Sequence, residues 1–415
     1  MTVTTQAPGD HLQAGWARLA AQGRWCWVSW TVIAVVYAAV LFHHRWNPSD
    51  VPQLVDAMYA LLHGHLTSVY PSDTTLTSPP GFLLLIPLLV DVTGGNLLAQ
   101  PSLVLVGVSS AVFLAFTARR LVSSLAPWRH PATDRLLIAG LLLGIPFTFG
   151  LTSTYHPQDL VAMGWVILAI DATIRHQSTR VGLTLGAAVL TRQWTLLAVV
   201  PLLLSAPAFA INLRRVVSVA TALTVTMLTP FLVLDRAGLL HALAASVTAM
   251  GLYGVWDHLP VAESAAYSLA RIAPLATCVP TAVVLRRRWT RFPPGPEQLV
   301  GACLLCLGYR MLFETDPMAY YYGPMSALLL LLAVASSARH QRLLALTGFA
   351  LIEVLLAPQS SYLPHLAVPI AVAMEAVCLA CCAFGWSLTK RLPVVAPDPP
   401  PLLPTGRHGS LTPVR

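Results

Sequence analysis

The stretch SPPGFLLLIPLLV, residues 78–90, decides how the rest of the chain is threaded. Its apolar run, 81–90, is only ten residues long. At about 1.5 Å per helical residue, that falls well short of a hydrocarbon core of about 30 Å. Were it a full crossing, Arg119, Arg120, Arg129 and Arg135 would lie outside, against the cytoplasmic bias of basic loops. An interfacial or re-entrant helix restores the charge rule for every later loop. The run is therefore read as the end of a long outer segment, 43–96.

The composition surrounding this segment is that of a membrane protein. Of 415 residues, 56% are hydrophobic and 10% charged, and the mean hydropathy is +0.68. A soluble domain carries about 25% charged residues. Apolar stretches separated by short Arg-bearing loops make the chain all-α, polytopic and integral to the membrane. The charge rule gives about twelve spans: 25–42, 97–118, 136–151, 159–174, 181–190, 194–205, 216–234, 261–285, 298–313, 320–337, 343–357 and 365–387. Residues 1–24 form a cytoplasmic N-terminal segment, 25–387 the transmembrane domain, and 388–415 a disordered Pro-rich cytoplasmic tail. Both termini are then cytoplasmic, in a plasma (inner) membrane, and the first helix is a retained anchor.

The net charge of +8 does not indicate nucleic acid. Twenty of the 25 basic residues fall on the inner side of this threading, so the excess reports orientation and contact with anionic lipid headgroups. Seven cysteines are present, six of them within apolar helices. Cys303 and Cys306 form a CxxC without a second ligand pair, so they read as small buried hydrophobes.

The outer segment concentrates the chemistry. Residues 49–87 read SDVPQLVDAMYALLHGHLTSVYPSDTTLTSPPGFLLLIP and hold Asp50, Asp56, Asp73, His63 and His65. Within it, 52–63 is a juxtamembrane amphipathic helix, with Leu54, Met58, Leu61 and Leu62 on one face and Asp56 and His63 elsewhere. Asp50 follows the first span within a few residues, where an acid can act as general base toward an acceptor hydroxyl. Asp56, His156 and Asp159 are secondary catalytic candidates at the same face.

Five arginines break the charge rule or sit within helices: Arg45, Arg192, Arg236, Arg271 and Arg310. A cation so placed needs an anion. A lipid-linked phosphate is one choice, since guanidinium offers a planar donor fork. An internal ion pair with Asp235, Glu263 or Glu314, or snorkelling, is the other. Arg192 stands at the tip of a short hairpin, GLTLGAAVLTRQW, and is taken with Arg310 and Arg271 as a donor-phosphate candidate. Tyr70, Tyr320, Tyr321 and Tyr322 stand at outer ends of helices, as interfacial belts do, and the triple run also offers a sugar- or prenyl-contacting wall. No HxxxH or HExxH spacing appears, so a divalent metal is not indicated and no cofactor is expected.

This layout resembles the GT-C superfamily of polytopic glycosyltransferases, in particular its bacterial polyprenyl-phosphate-mannose-dependent branch. The resemblance rests on Asp50, AMYALLHGH (57–65), Tyr70 and SPPGFLLLIPLL (78–89) in the first outer loop. TYHPQDLVAMGW (154–165), the hairpin 182–204 and DPMAYYYGPMSALLLLL (316–332) add to it. It implies transfer of a sugar, mannose or another hexose or pentose, from a polyprenyl-phosphate donor to a lipid or glycan acceptor at the extracytoplasmic face. Asp50 would deprotonate the acceptor, with inversion, Arg192 would contact the donor phosphate, and Pro79 and Pro80 would line the substrate. Two departures stand out: no acidic pair follows the first span, and Thr77-Ser78 precedes the prolines where an aromatic is expected. A lipid-linked-sugar transporter or flippase would instead predict inverted repeats and intramembrane charges. Glu353, Glu375 and Arg271 are candidates for such charges, but no inverted repeat is evident. A non-catalytic protein of the same fold is the third reading.

Overall fold

The computed structural model describes residues 51–70, 80–81, 100–125, 137, 140–141, 156–244, 260, 262–292, 294–314, 319–356 and 367–390. The expected first span 25–42, Asp50, Pro79, the apolar run beyond Gly81, most of 136–151 and the tail after Lys390 lie outside the described residues. Every regular element among those described is helical. Twelve are α-helices: α1 Val51–Leu62, α2 Gln100–Leu125, α3 Pro157–Ile174, α4 Ser178–Thr191, α5 Leu196–Ser205, α6 Leu213–Leu234, α7 Arg236–Ala244, α8 Glu263–Trp289, α9 Pro296–Phe313, α10 Gly323–Ala335, α11 Arg339–Leu356 and α12 Ala367–Thr389. Five of the described helices are long and apolar enough to cross a membrane by length and composition: α2, α3, α6, α8 and α12.

The helix α1 is amphipathic, as the pattern predicts, but its buried side differs. Ala57, Met58 and Ala60 are buried, whereas Leu62 and Asp56 are exposed. The reason is the stop that follows. Gly64 takes a left-handed φ of 72°. Its N–H donates to Leu61 O, and the His65 N–H to Ala60 O, at 3.2 and 2.8 Å. This Schellman-type ending turns the chain at the last residue of the helix and leaves Leu62 on the rim.

Neighbouring helices pack in a chain of pairs: α2 on α3, α3 on α4, α4 on α6, then α9 along α12 and α10 along α11. Short α5 bridges the two groups through α8 and α9. α3 and α10 form the interior, with nearly all side chains buried. α6 and α8 instead present Val225, Val233, Ile272 and Val284 outward. Apolar side chains in that quantity on an outer face fit lipid rather than water.

Two departures from the expected threading are the largest. α2 runs on through Arg119 and Arg120 to Leu125, where a loop from 119 is expected. Arginine is a good helix former, and here the continuation has a partner. Asp171 near the end of α3 accepts from Arg120 Nε at 2.8 Å, Arg175 Nε at 2.9 Å and Ser124 Oγ at 2.6 Å. The stretch after 234, expected as loop, begins with the short helix α7. Asp235 starts it by accepting the Gly238 N–H at 3.1 Å, the usual act of an N-capping acid.

Candidate functional site

The hairpin tip between α4 and α5 is where the polar residues converge. Arg192 leaves α4 in extended conformation, with φ −152° and ψ 135°. Its N–H donates to Ala188 O at 3.0 Å, and its carbonyl accepts from Thr195 Oγ1 at 2.7 Å. The backbone is thus held on both sides, and a 3-10 turn, Gln193–Thr195, passes the chain into α5.

The Arg192 guanidinium meets Asp159 in the first turn of α3. Nε donates to Oδ1 and Nη2 to Oδ2, both at 2.9 Å. This is the bidentate fork that carboxylates and guanidinium groups favour. The Trp194 indole N–H adds a third donor to Oδ1 at 2.7 Å. Asp159 is 7% exposed and Arg192 9%, so the pair is a buried one. Pro157 at the first helical position of α3 sets the entry angle that presents Asp159, and His156 immediately precedes it. His156 is buried too, and its Nδ1 lies 3.0 Å from the Gln158 amide nitrogen.

A second cation closes on this pair from α9. The Arg310 guanidinium lies 4.6 Å from the Tyr321 ring centre and 5.8 Å from that of Trp194. Both distances are within cation–π range. Arg310 Nε reaches Glu314 only at 3.6 Å, beyond a good hydrogen bond. Trp194 therefore joins the two arginines: its edge serves Asp159 and its ring faces Arg310. The cluster holds two arginines and two carboxylates, so an incoming phosphate would meet a balanced site with Arg310 as the more loosely engaged cation.

Pro80 and Gly81, from the stretch expected to lie outside, reach this tip. Pro80 is buried, and Gly81 packs against the end of α4. A Cβ on Gly81 would stand 2.6 Å from Leu190 Cβ and 2.7 Å from Leu190 O. Only glycine allows that approach two residues before Arg192. Gly81→Ala is expected to destabilise the protein by about 1–3 kcal/mol, as overpacked sites do. Thermal unfolding of the purified variant in detergent checks this, and an unchanged midpoint would mean that the Gly81 contact is not tight.

Other predicted residues lie elsewhere. Tyr70 is 1% exposed and packs edge-on against Phe231, with ring centres 5.9 Å apart. Burial first, and the Asp235 carboxylate second, push its hydroxyl well above the usual tyrosine range. It therefore anchors the turn after α1 on α6 and α7 as a neutral group. Asp56 on α1 and Arg271 on α8 are exposed. Tyr322 is buried at the start of α10, Tyr321 is half-buried, and Tyr320 lies in the 3-10 turn Ala319–Tyr322. Asp50 and Pro79 lie outside the described residues. Among the described residues, no group of three or more His, Cys, Asp or Glu side chains could hold a metal ion.

Arg192, Asp159, His156, Arg310 and Tyr321, which stand far apart in the sequence, come together in the structure. Of the expected ion-pair partners, Glu314 faces Arg310, whereas the partner of Arg192 is Asp159, which is not among them. Trp194 and Gln158 were missed. The only local signal was the indole two residues after Arg192.

No family model matches the chain, and no curated protein matches it. Solved structures do share its fold. A crystal structure of ArnT from Cupriavidus metallidurans in the apo state superposes with a TM-score of 0.54 at 14% sequence identity, covering 89% of this chain and 77% of that chain. The same protein bound to undecaprenyl phosphate gives a TM-score of 0.52 at 13% identity, covering 88% and 77%. At these identities the likeness is one of fold: an all-helical, polytopic membrane architecture.

Proposed function

We propose that this chain is a membrane glycosyltransferase that moves a sugar, mannose or another hexose or pentose, from a polyprenyl-phosphate donor to a lipid or glycan acceptor. The reaction takes place at the extracytoplasmic face of the plasma membrane. The observation that carries the reading is the buried Arg192–Asp159 pair at the hairpin tip, with the half-buried Arg310 over the rings of Trp194 and Tyr321, in a fold shared with a protein crystallised with undecaprenyl phosphate.

Asp50, the acid at the start of the outer segment, takes the proton of the acceptor hydroxyl. The oxygen then attacks the anomeric carbon as the bond from that carbon to the phosphate oxygen breaks, inverting the configuration. The leaving polyprenyl phosphate gains negative charge, which donors already in place stabilise at little reorganisation cost. Arg310 contacts that phosphate. Arg192, whose Nε and Nη2 bind Asp159, is the donor-phosphate candidate on the hairpin and fixes the tip on which Trp194 sits.

The test is transfer by the purified protein from a panel of radiolabelled polyprenyl-phosphate sugars, read as released polyprenyl phosphate and labelled acceptor. Uptake of the lipid-linked sugar into proteoliposomes without transfer would replace the enzyme by a transporter. In the same assay Arg310→Gln is expected to weaken donor affinity by about ten- to a hundredfold, the loss of a hydrogen bond to a charged group. An unchanged affinity would remove Arg310 from the donor site.

A further inference from the structure

The far end of the helix that carries Arg310 borders a second charged feature. α9 begins at Pro296, fourteen residues before Arg310 and therefore roughly 20 Å away along the axis. Beside that end, α8 and α12 finish together and enclose a cleft of 460 Å³. Arg287, Arg288, Arg291 and Lys390 line it, and among the described residues no carboxylate does. Glu297, the nearest acid in sequence, is turned to the Ser337 N–H, which it accepts at 3.1 Å.

Below the charged rim the cleft is apolar. Val284 and Phe292 are exposed on it, and Trp386 stands opposite on α12. The Lys390 ammonium lies 4.9 Å from the Trp386 ring centre, and Arg288 Nη2 donates to Lys390 O, tying the two helix ends together. The apolar spans of both helices stop at this level, at Trp289 and Thr389. A hydrocarbon-facing wall capped by four cations and an interfacial tryptophan matches one kind of occupant: an amphiphile with an anionic head. The basic loops expected on the cytoplasmic side include this one, so the leaflet is the one rich in anionic lipid.

We propose that the cleft between the ends of α8 and α12 binds an anionic phospholipid. Its phosphate lies among Arg287, Arg291 and Lys390, and an acyl chain lies along Val284 and Trp386. The assignment is independent of the reaction at the opposite end of α9.

The test is native mass spectrometry of the full chain, titrated in detergent with phosphatidylglycerol and, separately, phosphatidylcholine. Wild type is expected to retain phosphatidylglycerol preferentially. The triple variant Arg287→Gln, Arg291→Gln, Lys390→Gln leaves Arg288 to hold the helix ends and should lose about a hundredfold in that affinity, at about fivefold for each surface cation. Lys390→Glu alone, at an exposed position, should lose about thirtyfold and serves if the triple variant misfolds. Equal retention of phosphatidylglycerol by wild type and variants overturns the proposal, as does equal retention of phosphatidylcholine by wild type. Displacement of the lipid by millimolar glycerol 3-phosphate would make this a site for soluble phosphate and would overturn the lipid assignment; no displacement supports it.

Discussion

Arg192→Met is expected to destabilise the protein by about 3–5 kcal/mol, because it leaves the Asp159 carboxylate buried without its counter-ion. Asp159→Leu should cost a similar amount by stranding the guanidinium. The double variant is the informative one. Replacing both members of a buried pair with apolar groups of similar size is often close to neutral. Here the recovery stops short, since the Trp194 indole N–H loses its acceptor. That shortfall is about 1–3 kcal/mol, the cost of an orphaned buried donor. Unfolding midpoints in detergent give the stability side of the cycle, and binding of undecaprenyl phosphate gives the other. Donor affinity should fall in Arg192→Met and in the double variant alike, because a thioether in place of the guanidinium cannot hold the tip that positions Trp194 beneath Arg310. A double variant that regains stability and binds donor like wild type would make the pair a staple of the hairpin and nothing more.

The same pair shows what was and was not legible in the residues alone. Helix positions were readable because lipid demands long apolar runs, and those runs end where Arg and Pro appear: the expected span 159–174 is α3, Pro157–Ile174, and the expected pair 181–190 and 194–205 is the hairpin of α4 and α5. The misplaced end of α2 has a physical cause. Arg119 and Arg120 look like loop residues by charge, yet a helix can carry them outward to a partner such as Asp171. Partner choice was not readable. Asp159 and Arg192 are 33 residues apart, and no periodicity relates them. Nor does any sequence pattern put Trp194 under Arg310, which arrives from a helix more than a hundred residues later. Misplaced charge identified the participants, and only the fold paired them.

Asp50→Asn is expected to lower the transfer rate by about 10²–10⁴-fold, the usual contribution of a general base, with donor affinity nearly unchanged. Asparagine keeps the shape of the side chain and removes only its capacity to take a proton, so unfolding should be unaffected. Two other acids serve as the base less well where the structure places them. Asp56 is exposed on α1, so Asp56→Asn should leave the rate near that of wild type. Both oxygens of Asp159 are already engaged, Oδ1 by Arg192 and Trp194 and Oδ2 by Arg192. Single-turnover rates with saturating donor make the comparison clean, since they separate chemistry from binding. If Asp50→Asn retains a rate within about tenfold of wild type, the base lies elsewhere. His156 would then be the next residue to replace, being buried against the first turn of α3 beside the Arg192–Asp159 pair.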